Sequence, residues 1–174
     1  MKKIPFLQQI VIGLLIVAVV ACKKESNNNT SGSDYYLKFK KNDSWVTWKN
    51  ALSYLDPNAN DNTKTNFSFQ GANNDNSEGF GISFDVNGSS INEGSYNSDT
   101  YSMTADYTIL QSNTTTTYSM KTYSVNSSSY SVTLDSITEN TIKGTFTGNF
   151  LVNKDDDSDT LKISEGEFFL QRIR

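Results

Sequence analysis

The strongest constraint on the fold of this chain is a two-residue alternation of apolar and polar side chains that recurs from Tyr35 onward. Successive side chains of an extended strand point to opposite faces, so alternation marks a strand with one buried face. Phe80, Ile82, Phe84 and Val86 alternate with Gly81, Ser83 and Asp85, and Asn87-Gly88 supplies a tight turn directly after them. Tyr35, Leu37 and Phe39 alternate with Tyr36, Lys38 and Lys40. Asn42-Asp43-Ser44 is turn chemistry, because Asn and Asp tolerate left-handed backbone, and Trp45 to Trp48 is the returning strand of a first hairpin. Phe67 and Phe69, the row from Tyr101 to Ile109, and Tyr130, Val132 and Leu134 repeat the period. Ile142, Gly144, Phe146, Gly148, Phe150 and Val152 share one face, and glycines between aromatics predict rings lying over bare backbone.

Between these runs, residues 50–64 read as a long connection, Ile91 to Tyr96 as a turn, and Asp155 to Asp159 as the acidic tip of a C-terminal hairpin. The pattern predicts an all-β domain over 35–174 with about nine or ten strands. Short polar connections favour antiparallel hairpins over crossover helices. The expected architecture is an antiparallel β-sandwich or an up-and-down, lipocalin-like barrel. A domain of this length buries roughly two-thirds of its unfolded surface, enough for a core without disulfides.

The N-terminus is different. Met1, Lys2 and Lys3 precede an apolar run of 12 residues from Ile10 to Ala21. A membrane-spanning helix needs about 20 residues, whereas a signal-peptide core needs roughly 7–15. The run ends at Val19-Val20-Ala21-Cys22, which resembles the lipobox of bacterial lipoproteins. That resemblance implies a signal peptide, 1–21, removed before Cys22, and acyl chains on the Cys22 thiol and its new amino group. Two or more chains give stable anchoring. Residues 22–34 would then be the lipidated Cys and a flexible tether, since KKESNNNTSGSD contains no hydrophobic residue. No Asp follows Cys22, which favours the outer membrane. Lys23-Lys24-Glu25 resembles the charged export tag of Bacteroidetes surface lipoproteins. The expected location is therefore the cell envelope, as an outer-membrane lipoprotein facing the periplasm or the surface.

The body is similar to a broad group of small Bacteroidetes lipoproteins of unknown function. The resemblance rests on Phe39 to Trp48 (FKKNDSWVTW), Gly94-Ser95-Tyr96, Ile142 to Gly148 (IKGTFTG) and Gly166-Glu167-Phe168, in that order along the chain. It implies an all-β extracytoplasmic domain and no particular activity.

Composition then narrows the chemistry. The chain has no His and one Cys, which removes His-based acid–base catalysis, His/Cys zinc sites and internal disulfides. Loss of the leader would leave 13 basic against 19 acidic residues, a charge of −6 that disfavours nucleic acid. Asp85, Glu93, Asp135, Glu165 and Glu167 are the carboxylates that a glycosidase would have to pair, but nothing in the pattern brings two of them into one cleft. Asp155-Asp156-Asp157-Ser158-Asp159 lacks the Gly and the distant Glu of an EF-hand loop and reads as a solvated turn. No metal or cofactor is expected. Trp45 and Trp48 stand three apart and so face opposite sides of a strand: one belongs to the core and the other could stack on a sugar ring, flanked by Tyr36 or by the Tyr101/Tyr107 row. The expectation is a lipid-anchored, non-enzymatic envelope domain with a binding or structural role, its partner a membrane through Cys22 and a glycan or envelope protein. The alternative is a lipocalin-like barrel holding a small apolar ligand in a cavity of roughly 300–1,000 Å³.

Overall fold

The alternating segments form thirteen β-strands, and no helix is present among the described residues, in a computed structural model that describes residues 35–58, 60–111, 114–120, 130–148, 151–153, 155 and 159–173. These residues all belong to one unit, Asp34–Arg174. The signal peptide, Cys22 and the tether lie outside the described residues, as do 121–129 and the centre of the acidic turn. The strands are β1 (Tyr36–Lys41), β2 (Ser44–Trp48), β3 (Asn50–Pro57), β4 (Lys64–Ala72), β5 (Glu78–Asn87), β6 (Gly94–Asn97) and β7 (Met103–Gln111). They continue with β8 (Thr114–Met120), β9 (Ser131–Ile137), β10 (Thr141–Thr147), β11 (Leu151–Asn153), β12 (Thr160–Leu161) and β13 (Ile163–Ile173).

All thirteen belong to one sheet, in the order β12-β11-β8-β7-β5-β4-β3-β13-β10-β9-β6, with β1 and β2 branching from β13. The first hairpin turns on Asn42 and Asp43, whose φ angles of 48° and 64° are the left-handed pair that suits a two-residue hairpin. The strand β13 is shared. It pairs with β10 along one edge, with β1 antiparallel along the other, and with β3 parallel from Gln171 to Ile173. The parallel pair follows from the path of the chain: β1 begins opposite Phe169, and beyond that point β3 takes over the vacated edge.

The sheet rolls on itself into a half-barrel. Phe80 on β5 and Phe146 on β10 are four strand spacings apart along the sheet, ~19 Å if it were flat. Their ring centroids lie 5.5 Å apart. Phe84 on β5 and Tyr96 on β6 are six spacings apart, ~29 Å if flat, yet their rings stack at 4.9 Å. The enclosed face holds Phe39, Phe67, Phe69, Phe80, Phe84, Phe146, Phe168 and Tyr107, all fully buried. Rings pack here in tilted and edge-on pairs, such as Phe69 with Phe168 at 4.8 Å and Phe39 with Phe80 at 5.1 Å.

Bare backbone makes this ring packing fit. At Gly144 a Cβ would overlap the Thr133 carbonyl and come within 2.6 Å of Phe168 Cζ. At Gly166 a Cβ would overlap the Phe146 ring and stand 2.7 Å from the Lys38 carbonyl oxygen. Gly148 lies against Tyr130 in the same way.

Four expectations need correction. The stretch over 50–64 contains strand β3 rather than only a connection. Its inner face is Ala51, Ser53 and Leu55: Ala51 and Leu55 pack against the core, Ser53 is fully buried and donates its hydroxyl to the Gln171 carbonyl at 3.1 Å, and Leu52 and Tyr54 lie on the opposite face. The segment from Ile91 to Tyr96 includes the start of β6, which pairs with β9. With the short pair β11 and β12, these raise the count from nine or ten strands to thirteen among the described residues. One ladder is parallel, where antiparallel pairing alone was expected.

Candidate functional site

On the outer face, β2 presents Trp45 and Thr47 outward, while Val46 and Trp48 turn in. The two tryptophans are separated as their spacing requires: Trp45 is 49% exposed and Trp48 is 5% exposed. Trp48 packs edge-on against Phe39 at 4.9 Å and lies 6.0 Å from Tyr107. It is a core residue and offers no surface for stacking. Tyr107 is likewise fully buried, and Tyr101 packs on Tyr96 at 5.2 Å, so the Tyr101/Tyr107 row does not flank Trp45. Tyr36 shares the outer face of β1, opposite Phe169, with Lys49 Nζ 5.6 Å from its ring. Lys38 stands between Tyr36 and Trp45, so these two rings do not form one platform.

Two lysines hold Trp45 in place. Lys38 Nζ is 4.7 Å and Lys40 Nζ 5.2 Å from the centre of its ring. Each also meets a carboxylate of β13: Lys38 to Glu167 at 3.0 Å and Lys40 to Glu165 at 2.5 Å. The carboxylates set the ammonium positions, and the ring's electron-rich face receives both charges. These exposed pairs add little stability, at about 0–1 kcal/mol each. Their effect is orientational, and the four charges cancel.

Hydroxyl and amide groups extend this face across the sheet. The register places Thr47, Lys38, Glu167, Thr145, Thr133 and Ser95 in one outward row over six strands. Ser95 Oγ lies 2.8 Å from Thr133 Oγ1. The adjoining row runs from Trp45 and Lys40 through Glu165 to Thr147, Ser131 and Asn97.

A second polar cluster, which the alternation did not single out, closes one end of the core. Lys41 Nζ meets Glu78 Oε1 at 2.6 Å, and the Tyr107 hydroxyl donates to Glu78 Oε2 at 2.6 Å. Lys41 Nζ also sits 4.9 Å from the Tyr107 ring. Burial pushes the Glu78 carboxyl up, but the hydrogen bonds from Lys41 and Tyr107 and the Lys41 charge outweigh it and hold the group below its ordinary range. Burial, and then the hydrogen bond to the Glu78 carboxylate, raises the Tyr107 phenol well above its ordinary value. Both oxygens of Glu78 are therefore committed, and the cluster acts as a polar plug. The signal for it was faint: Lys41 and Glu78 end their strands, and only the rolled sheet brings them together.

Of the five carboxylates considered for hydrolysis, Glu165 and Glu167 lie two residues apart on the outer face of β13 and each is paired with a lysine. Asp85 accepts from Asn66 Nδ2 at 2.9 Å, Glu93 accepts from the Ile137 amide at 3.2 Å, and Asp135 is exposed on β9. Of the acidic turn, Asp155 accompanies the Asn153 side chain and Asp159 accepts from the Tyr118 hydroxyl at 2.7 Å. No group of three or more metal-ligating side chains occurs among the described residues. Comparison with protein-family models, with curated proteins and with solved structures gave no match.

Proposed function

We propose that the chain is a lipid-anchored, non-enzymatic binding domain of the bacterial cell envelope, held by acyl chains on Cys22 and binding a glycan or an envelope protein on the outer face around Trp45. One observation carries the binding face: a large aromatic ring is left half in water while two lysines and their carboxylates fix its orientation. Exposed rings held in one orientation lose little entropy on stacking against a partner. The interior supports this reading over an apolar-ligand barrel, since interlocked rings occupy the core from Phe39 through Phe80 to Phe146. In architecture, it supports a sheet rolled around its own side chains, between a sandwich and a closed barrel.

The anchor rests on the lipobox and is tested at Cys22. Cys22→Ala should abolish palmitate labelling and move the protein from the membrane pellet to the soluble fraction; unchanged membrane association would refute the anchor. Full-length protein in detergent should be retained by delipidated envelope material, and Trp45→Ala should not. Equal retention of both would refute the binding face.

A further inference from the structure

We infer that the ligand of the Trp45 face is a neutral polysaccharide chain, lying across the strands from β2 toward β6. The inference rests on the binding face proposed above and adds the chemical class. Charge is the first reason. Lys38 and Lys40 are already shared between the Trp45 ring and Glu167 and Glu165, at 3.0 and 2.5 Å. An anionic chain would have to break these pairs, and a cationic one would meet two ammonium groups already over the ring. A neutral chain leaves the ladder intact.

Surface chemistry is the second reason. Beyond the ion pairs, the rows through Lys38 and Lys40 carry Thr47, Thr145, Thr147, Ser131 and Asn97, while the exposed Lys143 and Asp135 lie outside these rows. Neighbouring strands place these groups ~4.8 Å apart, and hydroxyls and amides both donate and accept. Sugar hydroxyls need that two-way capacity, while a pyranose C–H face suits the open part of the indole. A protein partner fits less well. Protein interfaces centre on clustered aromatic and aliphatic anchors, whereas the two rows around Trp45 hold ion pairs and hydroxyls; the partly exposed Tyr36 and Phe169 share the next row of the face, and Leu110 is on β7.

The test is native affinity electrophoresis of the full-length protein in a polyoxyethylene detergent. Gels carry xyloglucan, mixed-linkage β-glucan, galactomannan or amylopectin as neutral chains, and polygalacturonate as an anionic one. At least one neutral chain should retard the protein. Added salt should leave that retardation unchanged, because no net charge is exchanged. Trp45→Ala should weaken it at least about tenfold, and Thr145→Val/Thr147→Val should weaken it while leaving the urea midpoint in place. Retardation by polygalacturonate alone, by no neutral chain, or equally for Trp45→Ala would overturn the inference. Trp45-dependent retention on envelope material that is lost after protease treatment would also overturn it, while leaving the binding face standing with a protein as partner.

Discussion

The contact between Phe146 and Gly166 makes a quantitative test of the rolled core. Phe146 is 1% exposed and packs on Phe69 and Phe80, with ring centroids 5.7 and 5.5 Å away. Phe146→Ala therefore removes a buried ring, at a cost of about 3–5 kcal/mol. Gly166→Ala adds a methyl that overlaps the same ring and approaches the Lys38 carbonyl oxygen at 2.7 Å. Gly166 does not adopt left-handed backbone, so the loss comes from overpacking, about 1–3 kcal/mol. The double variant should cost less than the sum. With the ring gone, the methyl occupies part of the cavity and only the carbonyl contact persists, which gives a coupling of about 1–2 kcal/mol, inside the range for residues in contact. Urea denaturation followed by tryptophan fluorescence measures all four proteins, with the slope checked for constancy. Additivity within about 0.5 kcal/mol would mean that ring and glycine are independent and that this packing is wrong.

Other expectations follow from the polar groups. Glu78→Gln should destabilise by about 1–2 kcal/mol at neutral pH, since it removes the charge that Lys41 and Tyr107 bind. Because the folded-state carboxyl is held down, its contribution is present above the unfolded value of about 4.3 and lost as pH falls through the folded value. The acid limb of a urea-midpoint profile should therefore flatten in Glu78→Gln, and an unchanged limb would contradict the plug. At the alkaline end, Tyr107 and Tyr130 are both raised by burial, so their contribution holds below about pH 10 and is lost as pH climbs from there toward the folded values. Hydrogen exchange or urea midpoints between neutral and strongly alkaline pH check this. The buried Tyr130 hydroxyl has no hydrogen-bond partner among the described residues. Tyr130→Phe should raise stability by about 1 kcal/mol, and a loss would mean that the hydroxyl is satisfied.

The fold was legible wherever one face of a strand is apolar and the other polar. The β5 run from Phe80 to Val86 and the first hairpin, with Asn42 and Asp43 at positive φ, are where the alternation and turn chemistry put them. Gly144 and Gly148 lie beneath Phe168 and Tyr130 as the glycine–aromatic pattern implied. Strand β3 was illegible because a buried serine, its hydroxyl satisfied on a main-chain carbonyl, interrupts the inner face between Ala51 and Leu55, while Leu52 and Tyr54 put apolar residues on the outer one. The parallel ladder depends on where β1 starts along β13, a long-range relation that no local pattern encodes. For the site, spacing separated Trp45 from Trp48 without saying which was outside. The Lys38–Glu167 and Lys40–Glu165 pairs that frame Trp45 join residues more than a hundred positions apart, so only the register reveals them.

Strand β13 comes after every one of its neighbours in the chain, and β1, β3 and β10 each need it to satisfy an edge. During synthesis the edges of those three strands that face β13 must stay in water until 163–173 have emerged, although β2, β4 and β9 pair the opposite edges. Closure then depends on contacts spanning almost the whole domain, which makes folding slow compared with a helical protein of equal size. A chain stalled with 163–173 still inside the ribosome should stay open to protease, and should close only when those residues are released.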